Sequence, residues 1–232
     1  MKSMQCALPL LLKGWHNTCN IRRDDDINSG ERMITGMDIS DKNGALDWEL
    51  FGNREIAYVY IKASEALNSV DAMFAENHKH AREHGLLIGA YHWLHPQLHI
   101  GQQAETFFRT VKDFSGMLPP AVVLSTHTAS VHDMNRNVKR FMELIHNALG
   151  VIPVLYTSET FWTEQFQEGE WGCQYPLWID KPGNFFPKQL WPWAGWTIWQ
   201  YSFKADLPGV PTPPGLNLFN GSMADLKKLV MQ

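Results

Sequence analysis

The chain has 232 residues, 44% of them hydrophobic and 19% charged, and a formal net charge of −4. This length and apolar content predict one globular domain with a substantial core, while the interspersed charges exclude the basic stripe of a nucleic-acid binder and the polybasic patch of a membrane-surface protein. No run reaches the roughly 18 apolar residues that a membrane span requires. We expect neither nucleic-acid binding nor membrane insertion, and we take the chain to be a monomer.

The first 33 residues differ in character from the rest. Residues 1–33 combine a short apolar run with a longer polar and charged stretch, a composition typical of a flexible N-terminal extension. Lys13 ends the apolar run and no small-residue cleavage site follows, so the segment makes a poor signal peptide. We assign residues 34–232 to a single folded domain.

From Ile34 onward, short apolar runs alternate with longer amphipathic stretches, which is the pattern of strands followed by crossover helices. Strands are predicted at residues 35–39, 56–62, 86–92, 121–125, 151–156, 176–179 and 197–201. Helical spacing predicts helices at residues 71–84, 100–114 and 132–149. The alternation indicates an α/β barrel of TIM-like type, but because helices are fewer than strands, a regular eightfold barrel is not expected. The proline-rich tail after Tyr201 is predicted to be a loop that leads to a short final helix at residues 223–230.

Four segments of the chain carry family-like motifs. They read GMDIS at 36–40, YIKASE at 60–65, GAYHW at 89–93 and WQYS at 199–202. In this order they resemble the motifs of the family 25 glycoside hydrolases, the N-acetylmuramidase lysozymes that cut peptidoglycan between its sugars. The resemblance implies an irregular, flattened (β/α) barrel, peptidoglycan or a related amino-sugar polymer as partner, no cofactor, and an extracellular or cell-wall-directed location.

The strand that follows LPP at 118–120 departs from that family. The resemblance implies Asp-x-Glu there, which would supply two acidic groups of the active site. An ungapped alignment instead places Val123 and Ser125 at these positions, and a two-residue insertion places Ser125 and His127. Gly215 stands where the resemblance implies a third acid. Three of the four expected acidic positions are therefore lost.

Asp38 is the one family acid that the sequence retains, and we group it with Ser125 and His127 as candidate catalytic residues. Glycoside hydrolysis normally uses two carboxylates, one to protonate the leaving oxygen and one to act as nucleophile or base. An imidazolium at His127 can donate a proton near neutrality, but it adds positive charge beside an oxocarbenium-like centre. We therefore predict a lysozyme-like pseudoenzyme that binds carbohydrate. The alternatives are an active hydrolase that uses Asp38 with His127, Glu65 or Asp180, and a structural component of a phage or secretion particle.

The ends of the predicted strands supply the candidate substrate-binding residues, because a parallel barrel carries functional groups at the C-terminal ends of its strands. These candidates are Lys62, Glu65, Tyr91, His92, Tyr156, Asp180, Trp199 and Gln200. Alternation places Trp199 and Gln200 on opposite faces of their strand, so Tyr91 and Gln200 are the stronger candidates for a glycan groove. Asp180 is interpreted either as a relocated carboxylate or as a solvated acid at a strand end.

The histidines and cysteines predict no metal site. His80 and His84 belong to an H-x-x-E-H pattern like that of inverted zinc peptidases, but so short a pattern is weak in a chain with 10 histidines. A solvated helix face accounts for it. Cys6, Cys19 and Cys173 are an odd number at wide spacing, which defines neither a disulfide framework nor a zinc site.

Overall fold

The computed structural model describes residues 33–51, 55–113, 115–124 and 131–231, with the backbone alone at 131 and 132. The strands within these ranges are β1 Ile34–Ile39, β2 Tyr58–Glu65, β3 Ser69–Val70, β4 Leu87–Leu94, β5 Ala121–Leu124, β6 Val154–Ser158, β7 Leu177–Asp180, β8 Ile198–Ser202 and β9 Gly215–Phe219. The helices are α1 Trp48–Phe51, α2 Phe74–Glu83, α3 Ile100–Val111, α4 Val131–Leu149, α5 Glu159–Gln165 and α6 Met223–Lys228. Two 3-10 turns lie at Asp41–Asn43 and Glu170–Gln174.

The strands, apart from β3, close into a barrel. Their order around it is β1, β9, β8, β7, β6, β5, β4 and β2, and β2 pairs back onto β1. The pairs are parallel except for those of β9, which runs antiparallel to both β1 and β8. The short β3 pairs with β2 at the edge. The irregular (β/α) barrel predicted from the sequence is confirmed.

Local sequence fixes where several helices begin. The Ser158 side chain accepts a hydrogen bond from the Phe161 amide at the start of α5 (3.1 Å), and the Ser222 side chain does the same for the Asp225 amide in α6 (3.2 Å). His99 caps α3 through its ring nitrogen. These side chains satisfy backbone donors that the first turn of a helix leaves unpaired.

Side chains alternate across the barrel wall, as the twofold period of a strand requires. One set faces outward, where Val59 and Ile61 of β2 belong to the same buried cluster as Phe107 of α3 and Phe141 of α4. The other set fills the interior with large aromatic and apolar groups, namely Tyr58, Tyr60, Tyr91, Val123, Tyr156 and Trp178. The barrel is thus a packed core with functional groups restricted to its ends.

Helix α6 covers the end of the barrel where the parallel strands begin. Leu226 is buried in the interior cluster together with Leu118 and Phe219, and the Met231 amide donates to the Met117 carbonyl just ahead of β5 (2.8 Å). The opposite end, where the parallel strands finish, is therefore the one available to a ligand.

The structure corrects one of the predictions. The seven predicted strands and three predicted helices are present, but the tail after Tyr201 is not all loop, because β9 begins directly after Pro214. Cys173 is disulfide-bonded, a point that the cysteine spacing left open. No helix in the described part of the chain is both long and apolar enough to cross a membrane.

Candidate active site

Polar side chains converge at the open end of the barrel. The parallel strands bring their last inward-facing residues there, and β9, which runs the other way, brings its first. The inward-facing residues at this end are Asp38, Lys62, Tyr91, Val123, Tyr156, Asp180, Gln200 and Gly215. Ser125 and His127, two of the predicted catalytic residues, lie outside the described residues.

Asp38 is held at this end by two amide side chains. Its Oδ1 accepts hydrogen bonds from Gln200 Nε2 and from Asn217 Nδ2, the latter at 2.8 Å. Each amide is oriented in turn, because Gln200 Oε1 accepts from the Tyr156 hydroxyl (2.6 Å) and Asn217 Oδ1 accepts from Trp178 Nε1 (2.9 Å). Both N–H groups are therefore fixed toward the carboxylate.

The environment of Asp38 favours its protonated form. Burial raises the pKa of Asp38 to about 6, although the hydrogen bonds from Asn217 and Gln200 oppose the shift, and the nearby Asp180 carboxylate raises it further. Removal of a carboxylate from water penalises its charged form, and a like charge adds to the penalty. Asp38 can thus carry or release a proton at mildly acidic pH.

The absence of a side chain at Gly215 leaves room for the side chains of Asp38 and Gln200. Gly215 pairs with Asp38 across β1 and β9, and a Cβ atom at residue 215 would lie 2.2 Å from Asp38 Oδ1 and 2.1 Å from Gln200 Nε2. The two side chains therefore occupy the volume that any side chain at 215 would need. An acid at 215 would require both of them to move.

Asp180 is a second acid at the open end, at the finish of β7. In register it lies between Ser158 of β6 and Gln200 of β8. Burial raises the pKa of Asp180, and the nearby Tyr156 hydroxyl opposes this. Its Oδ1 is buried and accepts no hydrogen bond from the described residues.

A charged cluster links β2 to the loop after β4. Lys62 Nζ forms an ion pair with Glu65 Oε2, and His95 Nε2 lies 3.2 Å from Glu65 Oε1. Burial raises the pKa of Glu65, but the hydrogen bonds and charges of Lys62 and His95 outweigh it and hold the pKa below its ordinary value. Lys62 Nζ also lies 5.9 Å from the centre of the Trp93 ring, within cation–π range. Glu65 is thus a paired, ionised carboxylate.

Tyr91, a favoured groove candidate, faces the interior and is buried. Burial raises the pKa of its phenol well above the ordinary value, so the hydroxyl stays neutral and can donate a hydrogen bond.

His92, a predicted substrate-binding residue, faces the helices and not the barrel interior. Its Nδ1 lies 2.8 Å from the Ser64 hydroxyl and its Nε2 lies 3.4 Å from Gln103 Oε1, while its ring stacks on Phe141 at 5.0 Å. Burial lowers the pKa of His92 to about 4. It is a neutral, hydrogen-bonded residue of the outer core.

Trp199 also faces outward. Its Nε1 donates to the Lys181 carbonyl (2.8 Å), and its ring packs against Trp196 and Phe186 at 6.0 and 5.3 Å. It belongs to the buried cluster between the barrel wall and the helices, on the opposite face of β8 from Gln200.

The H-x-x-E-H histidines, which were interpreted as a solvated helix face, pack against an aromatic ring in the structure. His80 and His84 of the α2 region lie 6.1 and 5.7 Å from the Trp48 ring. Across the described ranges no group of three or more histidine, cysteine, aspartate or glutamate residues is arranged to hold a metal ion.

Asn217 and Trp178 were not predicted as site residues. Asn217 was missed because its strand was predicted to be loop, and Trp178 because its side chain lies one layer below the mouth. The alternation in GLNLF at 215–219, which places Gly215 and Asn217 on one face, was the available signal.

The comparison with known families decides the classification. The model described as "Glycosyl hydrolases family 25" matches residues 37–210. The chain belongs to glycosyl hydrolase family 25. The match begins within β1 and extends to the loop before β9, so it includes Asp38 and every parallel strand of the barrel.

Individual proteins and a solved structure are similar to this chain along most of its length. The uncharacterized protein YegX of Escherichia coli K12 is 28% identical over 204 residues, which are 85% of this chain and 73% of that protein. Lysozyme M1 of Streptomyces globisporus is 26% identical over 211 residues, covering 84% and 71% of the two chains. The crystal structure of the bacterial lysozyme from Streptomyces coelicolor superposes with a TM-score of 0.79 at 26% identity, covering 85% of this chain and 97% of that one.

Proposed function

We propose that this family 25 domain binds peptidoglycan or a related amino-sugar glycan at the open end of its barrel, and that its ability to cleave the glycan is impaired. The main support is that Val123 and Gly215 place no acid at the open end, where the Asp38 carboxylate accepts hydrogen bonds from two amide side chains. Relatives in the same family are named as lysozymes or muramidases, which supports a peptidoglycan-like ligand.

The carboxylates that the open end retains also support impaired cleavage of the glycan. Glycoside hydrolases of this general kind use two carboxyl groups with distinct tasks, and loss of one catalytic group commonly lowers the rate by orders of magnitude. Glu65 is paired with Lys62 and is a poor proton donor. Val123 is buried and apolar, and therefore offers neither a proton nor a negative charge.

A second candidate function is an active hydrolase with a rewired acid set. It is favoured by the raised pKa of Asp38, about 6, because a carboxylic acid with a raised pKa is suited to protonate a leaving group near neutrality. In this alternative Asp38 works with one of His127, Glu65 and Asp180.

The two candidates separate in one experiment. Purified peptidoglycan is incubated with the protein, and both release of new reducing ends and co-sedimentation with the polymer are measured. Co-sedimentation without release is the result expected for the binding domain. Release that Asp38→Asn abolishes would establish the hydrolase instead, and a protein that neither sediments with the polymer nor cuts it would refute both.

An exposed acid provides the matched control for that substitution. Asp113 lies on the protein surface just after α3, at the end of the barrel where the parallel strands begin, so Asp113→Asn makes the same chemical change away from the open end. It should leave sedimentation and release as they are in the unmodified protein.

A further inference from the structure

We propose that two exposed phenylalanines beside the open end, Phe185 and Phe186, form a stacking platform that extends the glycan site beyond the barrel mouth, so that the domain prefers long glycan chains over short ones. The inference rests on the proposed glycan binding. It adds the length of the preferred ligand and the direction in which that ligand leaves the mouth.

Exposed aromatic surface is concentrated in one stretch of the chain. Six large hydrophobic side chains are exposed among the described residues, and four of them lie between residues 185 and 203. Phe185 is 87% exposed and Phe186 is 37% exposed. Both belong to the connection between β7 and β8, which contains no helix. Adjacent apolar side chains that stay in contact with water mark a surface that meets a partner.

The platform rests on buried tryptophans. The Phe186 ring stacks on Trp196, with 6.2 Å between the ring centres and 14° between the planes, and it lies 5.3 Å from the Trp199 ring. Pro182 and Pro187 flank the segment, and a proline ring restricts the backbone. A ligand would therefore meet rings that are already ordered, which lowers the entropic cost of binding.

The platform adjoins the barrel mouth. The segment that carries it continues from β7, and the Lys181 amide donates to the carbonyl of Gln200 (3.1 Å), the residue whose side chain contacts Asp38. The barrel interior is filled with aromatic and apolar side chains, so a polymer cannot pass through it and has to leave the open end over the rim. Across β7 and β8 such a polymer meets Phe185 and Phe186.

A sugar chain matches the mixed character of this surface. A pyranose ring has a face of C–H groups that can stack on an aromatic ring, and hydroxyl groups at its edge. The exposed side chains of Asn184 and Lys188 flank the two phenylalanines and can hydrogen-bond those hydroxyls. A chain that is already held at the mouth reaches the platform as an intramolecular step, which raises its overall affinity.

The experiment compares two oligosaccharides that differ in length. Binding of the disaccharide and of the hexasaccharide of N-acetylglucosamine is measured by calorimetry, and mass spectrometry verifies that the hexasaccharide stays intact. We expect roughly tenfold tighter binding of the hexasaccharide. Phe185→Ala should remove most of that gain and leave disaccharide binding unchanged, because its side chain lies outside the mouth.

Two further variants at the same position separate ring stacking from general apolar contact. Phe185→Tyr keeps the flat ring and should keep the preference for the hexasaccharide. Phe185→Leu keeps an apolar side chain without a ring and should lose most of the preference. If Phe185→Leu bound the hexasaccharide as tightly as the unmodified protein does, stacking on this residue would be refuted.

An exposed leucine provides the matched control for loss of apolar surface. Leu50 is 59% exposed on α1, and Trp48 of the same helix packs on His84 at the end of α2, just ahead of the start of β4. Leu50 therefore lies toward the end of the barrel where the parallel strands begin. Leu50→Ala should leave both affinities unchanged.

The outcomes separate this inference from the proposed function. Equal affinity for the two oligosaccharides, or a length preference that survives Phe185→Ala, overturns the inference while glycan binding stands. Failure of the unmodified protein to bind either oligosaccharide or peptidoglycan overturns the inference and the proposed function together. Sedimentation velocity that shows a dimer dissociated by Phe185→Ala would assign the platform to a second copy of the chain and would also overturn the inference.

Discussion

Asp38→Asn is expected to make the fold more stable at neutral pH, although it alters a residue at the centre of the site. Asparagine keeps an oxygen that can accept from Gln200 and Asn217, and it removes the charge that the barrel holds away from water. The pKa of Asp38 is raised from an ordinary 3.8 to about 6. The folded state therefore binds this proton more tightly than the unfolded chain does, and the unmodified protein loses stability as the pH rises from 3.8 through 6.

The size of the effect follows from the same two pKa values. One pKa unit corresponds to about 1.4 kcal/mol, so the ionised carboxylate lowers the free energy of unfolding by at most about 3 kcal/mol at pH 8. Little of this loss is present at pH 4, where Asp38 is still protonated in the folded protein. The stability advantage of Asp38→Asn should therefore grow by roughly 2 kcal/mol between pH 4 and pH 8.

Urea unfolding followed by tryptophan fluorescence measures this difference at each pH and at constant ionic strength. Asp113→Asn, which changes an exposed acid far from the open end, should track the unmodified protein throughout. If the curves for Asp38→Asn and the unmodified protein ran parallel from pH 4 to pH 8, the burial of Asp38 would not carry the energetic cost assigned to it.

Three further predictions test other contacts by urea unfolding. The pKa of His92 is lowered to about 4, so this residue should contribute stability above pH 6.5, and roughly 3 kcal/mol of it should be lost as the pH falls toward 4. His92→Gln should flatten that loss. An unchanged fall in the free energy of unfolding between pH 6.5 and pH 4 in this variant would contradict the assignment. Gly215→Ala should destabilise the fold by about 1–3 kcal/mol, because its Cβ would collide with Asp38. An unchanged free energy of unfolding would show that the Asp38 side chain moves aside at little cost. Trp178→Phe should cost about 1–3 kcal/mol, because it leaves the buried oxygen of Asn217 without its donor; a cost no larger than that of a conservative surface change would count against this hydrogen bond.

Much of the barrel was predictable because its parallel strands are short apolar runs between amphipathic helices. The strand β9 was not, since four prolines precede it and two of its three inward positions are Gly215 and Asn217, neither of which has the apolar character of a buried strand. From the sequence, Gly215 was noted only as the position of a missing family acid, and no strand was predicted there. Its antiparallel pairing with β1, and hence its contact with Asp38, depends on tertiary structure.

Within the site, strand alternation was a better guide than position at the end of a strand. Alternation along β8 places Gln200 inward, where it contacts Asp38, and the same rule places His92 opposite its neighbour Tyr91. Position at a strand end nevertheless put His92 and Trp199 among the predicted substrate-binding residues. A strand end carries side chains on both faces, and those on the outer face pack between sheet and helix.

The position of α6 has a practical consequence for building chimeric proteins. Because this helix packs under the barrel, with Leu226 in the interior cluster and Met231 bonded to Met117, the polypeptide leaves the domain on the side away from Asp38 and Asp180. A reporter, an affinity handle or an attachment to a solid support joined beyond residue 231 would point away from the glycan. Immobilised in this way, the domain could present its open end to a cell-wall fragment without obstruction.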